Sequence, residues 1–207
     1  EKDAGEPFGS YGNKAYDSYS FHFLLKDCGM LKTLALGDYR LAFGEGLVVS
    51  SGFSFGKSTL FNLNGFRPSI KKFSSVSETS FFRGVASTLH FGNVDVSAFY
   101  SYLPKDATLR KDGTISTLKT DGLHRTLLEL SKKHNVVNQS AGTNVMWNTK
   151  HVCIGMTLLY EHFNKSFSKG TELYRLYYPE GKDFLNAGLH YGWHNDKFLF
   201  SGETAFS

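Results

Sequence analysis

Gly56-Lys57-Ser58 has the ending of a phosphate-binding loop, whose glycines bare backbone N–H groups to a phosphate and whose lysine reaches it. That loop needs a glycine five residues before Gly56, where this chain has Ser51. Gly52 is one residue too close, and no helical pattern follows, so nucleotide binding is not expected. Eight histidines invite a metal reading. His190 and His194 lie on one face of a strand but about 13 Å apart, too far to share an ion. His151 and His162 fall on opposite faces. No Cys/His zinc spacing occurs, and no metal or cofactor is expected. Many serines coexist with His and Asp, yet no G-x-S-x-G elbow appears. Catalysis is therefore not expected.

The elements that must position these residues read as strands. The segment 151–162 places Val152, Ile154, Met156, Leu158 and Tyr160 on one face, opposite Cys153, Gly155, Thr157, Leu159 and Glu161. At about 12 residues it exceeds the usual 5 to 6 and approaches a tilted membrane strand. The segment 94–103 opposes Val94, Val96, Ala98, Tyr100 and Tyr102 to Asp95, Ser97, Phe99 and Ser101. Gly92-Asn93 joins it to 80–91, a tight hairpin signal. The segment 185–194 sets Ala187, Leu189, Tyr191 and Trp193 against Asn186, Gly188, His190, Gly192 and His194. It turns through Asn195-Asp196 into 197–206. Thr149-Lys150 joins 140–148 to 151–162. Strands are also expected at 16–26, 32–43 and 123–132. The last carries Leu127, Leu128 and Leu130, which suit a short helix as well. About nine or ten strands result, in one domain covering the whole chain, with short turns on one side and long connections (44–79, 104–122, 163–184) on the other.

Composition agrees with this reading. Aromatics reach 15%, with 21 Gly and only 4 Pro, and mean hydropathy is negative. A sheet with one apolar and one polar face explains these values, as a transmembrane barrel, a soluble barrel or a sandwich. No apolar run reaches the roughly 18 to 20 residues of a membrane helix. The net charge of +4, from 23 basic and 19 acidic residues, is too balanced to argue for nucleic acid. Cys28 and Cys153 are too few for a disulfide framework and are expected as thiols.

The connection 44–79 is long for a structureless loop and is expected to line or plug a lumen. Its candidate residues are Gly44, Gly46, Gly52, Gly56 and Lys57. Charges inside strands must face the lumen if the sheet is in lipid, since a mid-depth Lys or Arg costs about 2–4 kcal/mol. Arg40, Glu45, Arg83 and Glu203 are expected to form a lumenal polar network. Tyr100, Tyr102, Tyr160, Tyr191, Trp193, Phe198 and Phe200 suit an interfacial aromatic girdle. In a soluble sandwich the same residues would be core.

The stretch GDYRLAFGEGLVVSSGFSFGKS (37–58) resembles the signature of an uncharacterised group of Gram-negative outer-membrane β-barrels. Supporting patches are EKDAGE (1–6), YDSYSFHF (16–23), ETSFFRGVA (78–86), GLHRTLLEL (122–130) and SGET (201–204). In that group the barrel follows a helix-hairpin-helix region, the source of a competence-like label. That region does not occur here, and Glu45 stands where the group has Gln. The resemblance implies an internal portion of a longer barrel. It implies an outer-membrane location, lipid and other envelope proteins as partners, and a role as channel, transporter or scaffold subunit. Nucleic acid is not expected as a partner of this portion. The alternative is a soluble all-β binding module for an apolar or carbohydrate ligand; a barrel-based hydrolase is a third.

Overall fold

A computed structural model of the chain describes residues 19–50, 69–73, 80–169 and 178–207. Nearly everything described is antiparallel sheet. The strands are β1 (His22–Cys28), β2 (Leu31–Ala42), β3 (Ser69–Lys72), β4 (Phe82–Phe91), β5 (Val94–Lys105), β6 (Ala107–Leu109), β7 (Ile115–Leu118), β8 (Val136–Asn148), β9 (Val152–Phe167), β10 (Gly181–His194) and β11 (Leu199–Phe206). They form one 11-stranded sheet whose main path is β1-β2-β4-β5-β8-β9-β10-β11. β3 extends the β1 side of β2, and β6 and β7 form a small hairpin off the path. The path ends on β1 and β11, so the sheet is not closed into a barrel.

Local sequence explains the hairpins. β4 and β5 meet at Gly92-Asn93, where Gly92 takes φ 61°, the left-handed backbone that a two-residue hairpin turn requires. In the turn after β10, Asn195 Oδ1 accepts from the backbone N–H groups of Lys197 (2.9 Å) and Phe198 (2.7 Å). Thr149 closes the turn between β8 and β9, accepting at Oγ1 from Val152 N at 3.0 Å. These tight turns share one end of the sheet, and the long connections leave the other.

The long-loop end departs from expectation in three places. Residues 123–132 are not a strand. They contain the short helix α1 (Leu127–Leu130), because Thr126 and Glu129 form a reciprocal capping box. Glu129 accepts from Thr126 N (2.9 Å) and Arg125 N (2.8 Å), and these backbone bonds, that to Thr126 first, hold its carboxyl below the usual range. The connection 104–122 is not slack: it carries the end of β5, then β6 and β7. Ala107, Ile115, Val136 and Phe163 bury themselves together there, with Phe167 and Phe184 against them. Finally, β9 runs on to Phe167 and β10 begins at Gly181, well inside the span expected as a loop.

The main apolar cluster shows how far the sheet curls. Ala35, Tyr39 and Leu41 of β2 pack with Ile70 of β3, Ala86 of β4, Phe99 of β5 and Leu159 of β9. Strands far apart in the path thus share one interior, with Phe43 and Val49 from the segment after β2 filling it. Tyr39 is fully buried, and its hydroxyl donates to Tyr100 O (2.8 Å) and Val85 O (3.2 Å). Removing that hydroxyl strands two carbonyls without opening a cavity. Tyr39→Phe is therefore expected to lower unfolding stability by about 1–2 kcal/mol in urea titration. An unchanged midpoint would show that the bonds contribute nothing net.

Candidate functional site on the inner face

Two neighbouring rows of the sheet define the site. One row runs Thr88, Ser97, Asn144, Thr157 and Gly188 across β4, β5, β8, β9 and β10. Its four polar residues are at most 3% exposed. Thr88 Oγ1 and Ser97 Oγ are hydrogen-bonded at 2.8 Å, and Asn144 Nδ2 donates to Thr157 Oγ1 at 2.9 Å. The row one residue away runs Leu89, Val96, Val145, Met156 and Leu189. Leu89, Val145, Met156 and Leu189 are 37%, 44%, 45% and 51% exposed. Because side chains alternate between faces, the polar row points inward and the apolar row outward. This is the reverse of a soluble sheet.

The inversion continues along the strands. Inside, Ser101 opposes Ser140, and Ser140 Oγ donates to Asn138 Oδ1 at 3.0 Å. Near the turns, His90 Nδ1 lies 2.6 Å from the buried carboxylate of Asp95. Outside, Phe91, Val94, Trp147, Ile154 and Tyr191 align at the turn end, all on the outer face. Tyr100, Ala141, Tyr160 and Leu185 align toward the long-loop end.

The expected girdle residues therefore fall into two groups. Tyr191, Trp193, Phe198 and Phe200 cluster at the turn end, and Tyr191 stacks on Phe200 with centroids 6.0 Å apart. Tyr100, Tyr102 and Tyr160 occupy the other end. Two of these hydroxyls find polar partners there: Tyr100 donates to Gln139 Oε1 (3.0 Å) and Tyr160 to Asp183 Oδ1 (2.5 Å).

The expected charge network is not assembled. Arg83 faces Asp38 across the β2–β4 register. Its Nε donates to Asp38 Oδ1 (2.6 Å) and its Nη2 to Oδ2 (3.0 Å), a two-pronged pair around a fully buried carboxylate. Arg40 instead lies over the Phe73 ring, 4.8 Å from its centroid. Glu203, on edge strand β11, accepts from Leu47 N at 3.1 Å. Arg40 and Arg83 lie on the face opposite the interior residues Tyr39, Leu41 and Phe82, whereas Glu203 shares the inner row with His190, which is why the four do not meet.

Glu203 belongs to a different assembly, the seat of the turn that follows β2. Gly44 and Gly46 take φ 57° and 91°, which lets residues 43–50 fold back tightly over the inner face. Gly52, Gly56 and Lys57 lie outside the described residues. Val48 packs onto Gly188 of β10, where any Cβ would collide with it. His190 sits under the turn, with Gly44 above its ring and Gly155 of β9 beneath. Its side chain is nearly inaccessible, and neither ring nitrogen has a partner among the described residues. Glu45 and Glu203 are the charges that act on it. Sequence reading discounted His190 as a solvated residue and passed over Asp38. His190 lies on the polar face opposite the apolar one of 185–194, whereas Asp38 shares its face with Leu36 and carries no such signal.

Among the described residues no three His, Cys, Asp or Glu side chains converge as metal ligands. Cys28 is exposed, Cys153 is buried, and both are free thiols. No helix among the described residues is long and apolar enough to cross a membrane, a statement that leaves strands open. No family model, curated protein or solved structure matches this chain.

The fit of His190 between two glycines gives a test. A Cβ on Gly155 would drive into the His190 ring. Gly155→Ala is expected to destabilise the fold by about 1–3 kcal/mol, the usual cost of overpacking. In a His190→Ala background the same substitution should be nearly neutral, a coupling read from a double-mutant cycle of unfolding free energies. Equal costs in both backgrounds would mean the ring does not occupy that space.

Proposed function

We propose that this chain is a membrane-embedded β-sheet of outer-membrane type. It serves as a channel, transporter or scaffold subunit of an envelope complex, with no catalysis of its own. The observation that carries this reading is the inverted sidedness of the sheet. Leu89, Val145, Met156 and Leu189 face outward while Thr88, Ser97, Asn144 and Thr157 are buried. In water that arrangement forgoes roughly half of the about 1.5–3 kcal/mol that full burial of a large aliphatic gives, since each is 37–51% exposed. In a bilayer the sign reverses, and the polar groups are sheltered in an interior where they bond one another.

Two further features support it. The aromatic groups flank the aliphatic band at both ends, as interfacial belts do. From Val94 to Tyr102 the strand advances eight residues, about 26 Å along its axis at ~3.3 Å per residue. Tilted by about 40°, that rises about 20 Å, most of the ~25 Å height of an outer-membrane apolar band. The charged groups lie inside, like Glu203 and Asp95, or near the ends, like Asp183 and Lys105. On this reading the turn at 43–50 obstructs the interior, and lipid together with neighbouring envelope proteins forms the outer surroundings. A bilayer offers no partner to a bare sheet edge, so β1 and β11 are both paired when the protein is in place. The competing reading, a soluble binding module, would bury the aliphatic face of β9. Ile154 on that face is 49% exposed.

The two tryptophans, Trp147 and Trp193, report on this directly, since both lie on the outer face at the turn end. After reconstitution into phosphatidylcholine vesicles, brominated lipids are expected to quench their emission strongly, most with bromines near the headgroups. Aqueous acrylamide should quench weakly. Strong acrylamide quenching without any effect of brominated lipid would remove the membrane reading.

A further inference from the structure

The excursion between β5 and β8 folds into a lobe at the rim, and lobe and rim enclose a cavity of about 180 Å³. That is roughly six water volumes at ~30 Å³ each. Phe81, Leu103 and Leu118 form apolar wall, and Arg83 and Lys105 bring positive charge.

Most of the charged groups around the cavity are already committed. Asp106 holds His124 Nε2 at 2.6 Å and accepts from His134 N at 2.7 Å. Lys119 lies 3.6 Å from Asp121. Arg83 directs Nε and Nη2 to Asp38 and to Tyr19 O, and Nη1 takes no part in those bonds. Lys105 differs. Among the described residues no carboxylate lies within ion-pair distance of it, and its ammonium rests 5.9 Å from the Phe163 ring centroid. Glu161, the acid whose charge reaches it, is engaged by Asn138 (3.4 Å) and Ser140 (3.3 Å). A half-buried ammonium without a counter-ion is costly unless negative charge is supplied to it.

We propose that this cavity binds a small carboxylate with an apolar body. The carboxylate meets Lys105, with Arg83 as the second cation of the wall, and the body packs on Phe81, Leu103 and Leu118. The site belongs to the rim lobe and does not depend on the sheet lying in a bilayer, so the two proposals fail separately.

Titration calorimetry of the whole chain in detergent, with benzoate as the probe, tests it. Saturable binding is expected, weakened about tenfold or more in Lys105→Met, the size of a lost charge-assisted bond. Lys105→Arg should retain it, and benzyl alcohol, the near-isosteric neutral probe, should not bind. Absence of saturable benzoate binding to the unsubstituted protein, or equal binding of benzyl alcohol, would overturn the proposal. So would unaltered affinity in Lys105→Met. Inorganic phosphate binding as tightly as benzoate would overturn the assigned ligand class.

Discussion

Buried polar side chains must find hydrogen bonds, and in the central rows of this sheet they find them in one another. Thr88 with Ser97, and Asn144 with Thr157, bridge pairs of neighbouring strands on the inner face. Small side chains are needed there because the sheet curls tightly enough for β2, β5 and β9 to share an interior. In these rows a larger group enters where glycine makes room, as Gly155 does for His190, while Tyr39, Phe43, Phe99 and Leu159 fill the interior beside them. Beside these rows Val145 and Met156 are left to the outside, since successive positions alternate between the faces. The outward apolar band thus backs the polar rows of the inside.

The two ends of the sheet do different work. At the turn end, short hairpins fix the register, and Trp193, Tyr191 and Phe200 gather on the outer face. At the other end the chain makes long excursions, and these fold. Ala107, Ile115, Val136 and Phe163 give the β5–β8 excursion a core of its own, which braces the rim cavity. The turn after β2 goes inward instead, held by Glu203 through Leu47 N and resting on Gly188 and His190. Rim and interior are therefore separate places where the protein could meet solutes.

Much of the sheet was legible in the sequence because period-two alternation survives in β5, β9 and β10, and because Gly92-Asn93 and Asn195 are strong turn signals. The all-β antiparallel class followed from those segments. Their alternation could not say which face was inside; only the burial of Ser97 and Thr157 beside exposed Val145 and Met156 does that. α1 stands where a strand is expected because Leu127, Leu128 and Leu130 fit either period and the capping pair Thr126–Glu129 decides for helix. The four charges expected as a network are dispersed for a different reason. Arg40, Arg83 and Glu203 are all charges within strands, but their partners depend on strand order, which places Asp38 opposite Arg83 and puts Glu203 on the far edge. His190 and Lys105 gain their significance only from what packs around them.

The sidedness of β9 tests the account most directly. Single nitroxide labels at each position from 152 to 160, in a background lacking Cys28 and Cys153, would be placed in lipid nanodiscs. Their collisions with oxygen and with a water-soluble nickel chelate would then be measured. The account predicts a two-residue oscillation, with oxygen access highest at Ile154, Met156 and Leu158 and lowest at Cys153, Gly155 and Thr157. High nickel access at the outward positions, or no oscillation at all, would contradict it.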